Sequence, residues 1–184
     1  MKTIYCVGYT SGNPGKAGWG VVVFENEKVI QTLSGGYRIS TDPRMHLMAF
    51  CQGLGLIVEG EQARCVVCSE YVYEAITQGR LYNWERRWGW NDINGKERPN
   101  RDLWQHVMEL LQSRNIEMVF QRKQQGDRGM WMADKLAKEA AAHPSELDEG
   151  YELSERYLAY QKAREEVRVF LDRLLSRRSG EQAG

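Results

Sequence analysis

The sequence predicts an α/β domain, a mixed five-stranded sheet with flanking helices, followed by an amphipathic C-terminal helix. Three observations carry this expectation. Residues 3–9, 18–24 and 28–38 are consecutive runs rich in β-branched and aromatic residues, the first two separated by the turn Ser11-Gly12-Asn13-Pro14-Gly15. Helix-like and strand-like patterns then alternate as far as Ala142. Beyond Gly150, apolar residues recur at three- and four-residue steps.

The first two strands form a hairpin, and a third extended segment follows. Met45, Leu47, Met48, Leu54, Ile57 and Val58 then mark a helix, with Asp42-Pro43 as its N-terminal signal. Val66-Val67 sits in a short apolar strand. Leu103, Val107, Leu110 and Leu111 mark a further helix, and Ile116 to Phe120 a further strand. Met130 to Ala142 closes the domain as an alanine-rich helix.

A length of 184 residues suits one compact domain with an appendage. We divide it into residues 1–152 and a C-terminal extension, 153–184, that ends in a short flexible tail. Lys plus Arg, 25, equals Asp plus Glu, 25, so any attraction to nucleic acid must come from local clusters. No apolar signal region opens the chain, and no stretch approaches the roughly 20 apolar residues that span a bilayer. Cys6, Cys51, Cys65 and Cys68 suit a reducing compartment better than a disulfide framework. An intracellular, cytoplasmic protein without a membrane association is expected.

Several motifs stand in a fixed order. They are Ile4-Tyr5-Cys6-Val7-Gly8-Tyr9-Thr10-Ser11-Gly12-Asn13-Pro14-Gly15, Arg44-Met45-His46-Leu47-Met48-Ala49, Cys65-Val66-Val67-Cys68-Ser69-Glu70-Tyr71-Val72, and Ala133-Asp134-Lys135-Leu136-Ala137. Between them lie Trp84-Glu85-Arg86-Arg87-Trp88-Gly89-Trp90 and Asp102-Leu103-Trp104-Gln105, and after them His143 to Tyr151. Together they resemble bacterial-type (type 1) ribonuclease H over roughly residues 1–152. The resemblance implies the ribonuclease H fold and, for the family, cleavage of RNA in RNA–DNA hybrids with two divalent metals. It also exposes a departure. Where the family's motifs carry catalytic carboxylates, this chain has Val7, His46 and Cys68, and only Asp134 is kept. A histidine that the family uses in product release aligns with Gln124. Mg²⁺ prefers oxygen ligands, so the resemblance points to a catalytically degenerate member without hybrid-cleaving activity and without a required cofactor.

Two sharper readings of the changed positions stand beside inert pocket filling. His46, Cys68 and Asp134 supply nitrogen, sulfur and oxygen, a donor set for Zn²⁺. The same three can also be read as a Cys nucleophile with a His base and an orienting Asp. Asp134 by itself leaves a single Mg²⁺ as a further alternative. A divergent nuclease acting on hybrids is the remaining enzymatic reading.

Binding is separable from cleavage. By resemblance, Asn13 and Arg44 face the hybrid backbone, and the basic, aromatic handle offers Arg80, Arg86 and Arg87 among Trp84 and Trp88. Glu85, Asp42 and Glu70 dilute that charge, and the bland reading of the tryptophans is core packing. In the extension, Leu153, Tyr157, Tyr160, Val167, Leu171 and Leu174, with Phe170 and Leu175 alongside, describe an apolar stripe. It predicts self-association or a protein partner through residues 153–178. The expected role is a binding or scaffolding component whose partners are protein and RNA, duplex or RNA–DNA hybrid.

Overall fold

The computed structural model describes residues 1–123 and 127–181, and of residues 174–181 only the backbone. Two compact units divide the chain, Met1–Asp148 and Glu149–Gly184.

In the first unit, β1 (Lys2–Thr10), β2 (Gly15–Glu25) and β3 (Lys28–Ser40) form an antiparallel meander. Asn26 and Glu27, both at positive φ (49° and 64°), make the tight turn between β2 and β3. Next come α1 (Asp42–Gly55), β4 (Gln62–Val67), α2 (Glu70–Thr77), α3 (Arg80–Arg86), α4 (Arg101–Leu111), β5 (Asn115–Phe120) and α5 (Arg128–Ala142). β4 lies parallel to both β1 and β5, which gives a mixed sheet in the order β3-β2-β1-β4-β5. The expected five-stranded sheet and its flanking helices are therefore present.

Strand alternation divides the core. Ile4, Cys6, Val21, Val23, Cys65 and Val67 pack with α1 and α4 residues such as Phe50, Leu54 and Trp104. Val7, Val22 and Val66 point to the opposite face, against Met130, Ala133 and Ala137 of α5. This parity also separates Cys65 from Cys68. The thiol of Cys65 belongs to the first face, whereas Cys68, one residue past β4, packs on the second.

The alanine content of α5 has a steric cause. A Cβ on Gly18 would stand 2.3 Å from the carbonyl oxygen of Ala137, and one on Gly20 would stand 2.3 Å from that of Ala133. The helix backbone thus lies directly on the sheet, where only small side chains leave room. Its N-terminus is capped by Asp127, whose side chain accepts from the N–H of Gly129 (2.8 Å) and of Met130 (3.2 Å). α1 begins at Asp42 with Pro43 in its first turn, as the Asp-Pro signal predicts.

The second unit contains α6 (Glu149–Glu152) and α7 (Glu155–Glu181). The unit boundary lies four residues before the expected 152/153 division, because α6 is tied forward: Leu153 N–H donates to Glu149 O and Ser154 N–H to Tyr151 O. The C-terminal helix is present, and it starts at Glu155 rather than Leu153. Its expected amphipathic stripe is interrupted. At 100° per residue, Arg156 and Arg164 share the arc of Tyr160, Val167 and Leu171, while Leu158 and Val169 lie on the other side. Val167, Phe170 and Leu171 are exposed, and Leu174, Leu175, Arg177 and Arg178 have side chains outside the described residues. Among the described residues, no helix is long and apolar enough to cross a membrane.

Candidate functional site

Four elements converge where β1 meets β4. The last parallel partners are Cys6 and Val67, so Val7 and Cys68 are the next residues on adjacent strands. The first turns of α1 bring His46 to Gly8, where no side chain fits: a Cβ on Gly8 would lie 2.3 Å from the backbone nitrogen of His46. α5 delivers Asp134 from the opposite side of the strand ends.

The resulting chemistry is quiet. Val7 is fully buried in the α5-facing core and offers no donor atom. His46 is 7 % exposed, and its Nδ1 accepts the N–H of Gly8 at 3.1 Å. Burial lowers its pKa from 6.5 to about 4, with the nearby Lys123 adding to the fall, despite the opposing pull of Asp42 and Asp134. The ring is therefore neutral at physiological pH, with its proton on Nε2, 3.8 Å from Asp42 Oδ2. Cys68 Sγ lies 3.8 Å from His46 Nδ1, but burial pushes its thiol up to about 11. An unactivated thiol beside an imidazole already engaged by Gly8 does not make a nucleophile–base pair.

Asp134 is held by two lysines. Lys138, one helical turn along α5, lies 2.5 Å from Oδ2, and Lys123, just past β5, lies 3.1 Å from Oδ1. The Lys123 contact is an ion pair rather than an aligned hydrogen bond, since Oδ1 has no hydrogen-bond partner. Burial would raise the Asp134 carboxyl, but the two ammonium groups overcome it and hold its pKa below the usual value. Lys123 also donates to the Gly8 carbonyl at 3.1 Å. Sequence reasoning missed both lysines. Lys138 was within reach of the i,i+4 spacing from Asp134, whereas nothing local marks Lys123.

His46, Cys68 and Asp134 do approach one another. Yet among the described residues no group of three His, Cys, Asp or Glu side chains is arranged to hold a metal ion.

The residues expected to meet nucleic acid separate into two sets. Arg44 belongs to the interior: at 3 % exposure, its guanidinium pairs with Asp102 through two bonds of 2.8 Å and with Asp148 through two of 2.9 Å. Ser40 donates to the same Asp148 carboxylate at 2.5 Å. The expected place of Arg44 on a substrate face is thus corrected, because the closing segment after α5 supplies a buried carboxylate. Trp84 is half-buried, edge-on to Trp104 at 5.4 Å, with Arg98 over its ring at 4.6 Å. Trp90 is buried as well.

Asn13 is exposed, and its Oδ1 accepts the N–H of Asp42. Arg80 is exposed but engaged by Glu74 and Gln78. Arg86, Arg87 and Trp88 are exposed at the end of α3, next to exposed Tyr82. Gln124 lies outside the described residues.

A family model for RNase H matches residues 1–142. The chain belongs to the RNase H family. It is 35% identical over 149 residues to a ribonuclease H of Vibrio cholerae, covering 81% of this chain and 94% of that one. The ribonuclease H of Vibrio vulnificus is 36% identical over 152 residues, at 83% and 96% coverage. Among solved structures, the fold resembles LC9-RNase H1, a type 1 RNase H with the type 2 active-site motif (TM-score 0.65, 23% identity, 78% of this chain and 73% of that one). It also resembles LC11-RNase H1 in complex with an RNA/DNA hybrid (TM-score 0.59, 21% identity, 77% and 97%).

Proposed function

We propose that this RNase H family member does not cleave RNA–DNA hybrids and works as a binding or scaffolding component. One observation carries the reading. At the strand ends where β1, α1, β4 and α5 meet, the positions that would carry the catalytic carboxylates hold Val7, His46, Cys68 and Asp134, and Asp134 is the only carboxylate among the four. Two-metal hydrolysis needs several oxygen ligands acting as a unit, so a single ion-paired aspartate does not sustain it. The exposed Arg86, Arg87, Trp88 and Tyr82 support retained contact with RNA, duplex or hybrid, combining phosphate charges with stacking surfaces. A family neighbour solved with a hybrid points to the same ligand class.

The second unit is the protein-interaction element of this proposal, through self-association or a partner docked on residues 153–178. Phe170 (60 % exposed), Val167 (57 %) and Leu171 (50 %) are large apolar side chains left open to solvent. Four free thiols, Cys6, Cys51, Cys65 and Cys68, fit an intracellular setting.

The deciding experiment is hybrid cleavage by the purified full chain with Mg²⁺ or Mn²⁺. No turnover is expected. Reproducible cleavage that disappears in Asp134→Asn would refute the inactive reading. Light scattering of the full chain against a Phe170→Asp, Leu171→Asp variant tests the second unit; a monomer in both, with no recovered partner, rules out its interaction role.

A further inference from the structure

The family's chemistry calls for divalent metal in the cleft, and the side chains gathered there do not fit one. Val7 has no donor, His46 Nδ1 is taken by the Gly8 N–H, and both oxygens of Asp134 face lysine ammonium groups. We propose that Lys123 is the cleft's own cation, a tethered ammonium in place of a metal, and that the cleft receives a phosphodiester backbone without any divalent ion. This deepens the nucleic-acid reading above and rests on it.

Lys123 stands between two oxygen atoms of the strand-end cluster. Its Nζ lies 3.1 Å from the Gly8 carbonyl oxygen and 3.1 Å from Asp134 Oδ1, two oxygens contributed by β1 and α5. A hard cation would seek the same pair of oxygens. An ammonium has three N–H groups and only the one on the Gly8 carbonyl is committed to an aligned bond, so donor capacity remains for a further acceptor, and the side chain is 33% exposed. Lys138, on the other oxygen of Asp134, is 54% exposed.

Charge accounts for the consequence. Lys123 and Lys138 balance Asp134 and the rim residue Asp42, so the sum over these four groups is zero. Neutral His46 and the protonated Cys68 thiol leave that sum unchanged. A cleft lined by four unpaired carboxylates would repel a phosphate until metal neutralised it. Here the neutralising charge is covalently part of the chain.

The test is binding of an RNA–DNA hybrid duplex by the full chain, across a salt series, once with EDTA and once with millimolar Mg²⁺. Binding in EDTA at least as tight as in Mg²⁺ is expected, since a divalent ion that the cleft does not use only competes for the phosphates. Lys123→Gln should reduce the slope of log K against log salt by about one, whereas Lys123→Arg should retain it. The charge-keeping variant guards against misreading a folding defect, and circular dichroism of both variants checks the fold. Binding that requires Mg²⁺, or an unchanged slope in folded Lys123→Gln, overturns the inference while leaving nucleic-acid binding intact. No binding in either condition overturns both.

Discussion

Arg44 and Arg86 carry the same group in two regions that treat it in opposite ways. Around Arg44, the guanidinium is enclosed with Asp148, whose side chain is 2% exposed, and with the half-exposed Asp102. Both carboxylates meet it in paired bonds, and Ser40 shares the Asp148 end. Partnership holds the Asp102 carboxyl below its usual pKa despite burial. At the end of α3, Arg86 and Arg87 stand in solvent beside Trp88. An arginine committed in the interior ties distant segments together and has nothing left for a ligand. An exposed arginine contributes little to stability and keeps its charge for a phosphate. In this molecule, residue type therefore says less about binding than the origin of the nearest carboxylate.

The largest effect should come from breaking the buried side of this comparison. Arg44→Ala leaves the Asp148 charge in the interior without its guanidinium, and a loss of about 3–5 kcal/mol in urea unfolding is expected. A loss under about 1 kcal/mol would mean that the cluster is solvated and that Arg44 differs little from the arginines of the handle.

An intermediate effect belongs to His46, which is buried like Arg44 but kept neutral instead of paired. Its folded pKa of about 4 lies below its unfolded value of 6.5. Between those values the unfolded chain binds more protons, so this contribution is present above pH 6.5 and is lost as pH falls toward 4. The loss amounts to about 3 kcal/mol at most. Asp134, whose pKa is also depressed, adds to the decline in the same direction at still lower pH. Unfolding free energies at several pH values should therefore fall less steeply for His46→Asn, a variant whose side-chain oxygen can still accept the Gly8 N–H. Parallel curves for parent and variant would show that His46 titrates normally.

The smallest stability effect is expected at the handle. The double change Arg86→Ala, Arg87→Ala should alter unfolding free energy by no more than about 0.5 kcal/mol. The same variant should lower the salt slope of hybrid binding by about two, one for each arginine that pairs with a phosphate. If stability drops while binding is unchanged, the roles assigned to the two arginine regions are reversed.

Much of this was legible in the chain because it depends on neighbours in sequence. The alternation of Ile4 and Cys6 with Tyr5 and Val7 determines which face of β1 each side chain takes, and Asp42-Pro43 marks the start of α1. The order of motifs indicated the family, and the identities of Val7, His46 and Cys68 raised the question of lost catalysis. The tryptophans of the handle were ambiguous. Trp84 and Trp88 differ by four positions, yet one packs on Trp104 and the other is exposed.

What only the tertiary structure decided are the pairings between residues far apart in the chain. Arg44 finds Asp148 across 104 positions, and Lys123 reaches the Gly8 carbonyl across 115. C-terminal to Gly150, spacing by itself overstated the apolar stripe, because Arg156 and Arg164 occupy the same arc of α7. Local pattern sets the direction of each side chain from its own backbone, since strand and helix periods are properties of neighbouring residues. The charge that a side chain meets at the end of that direction depends on which distant segment packs there, and only the assembled fold brings the two together.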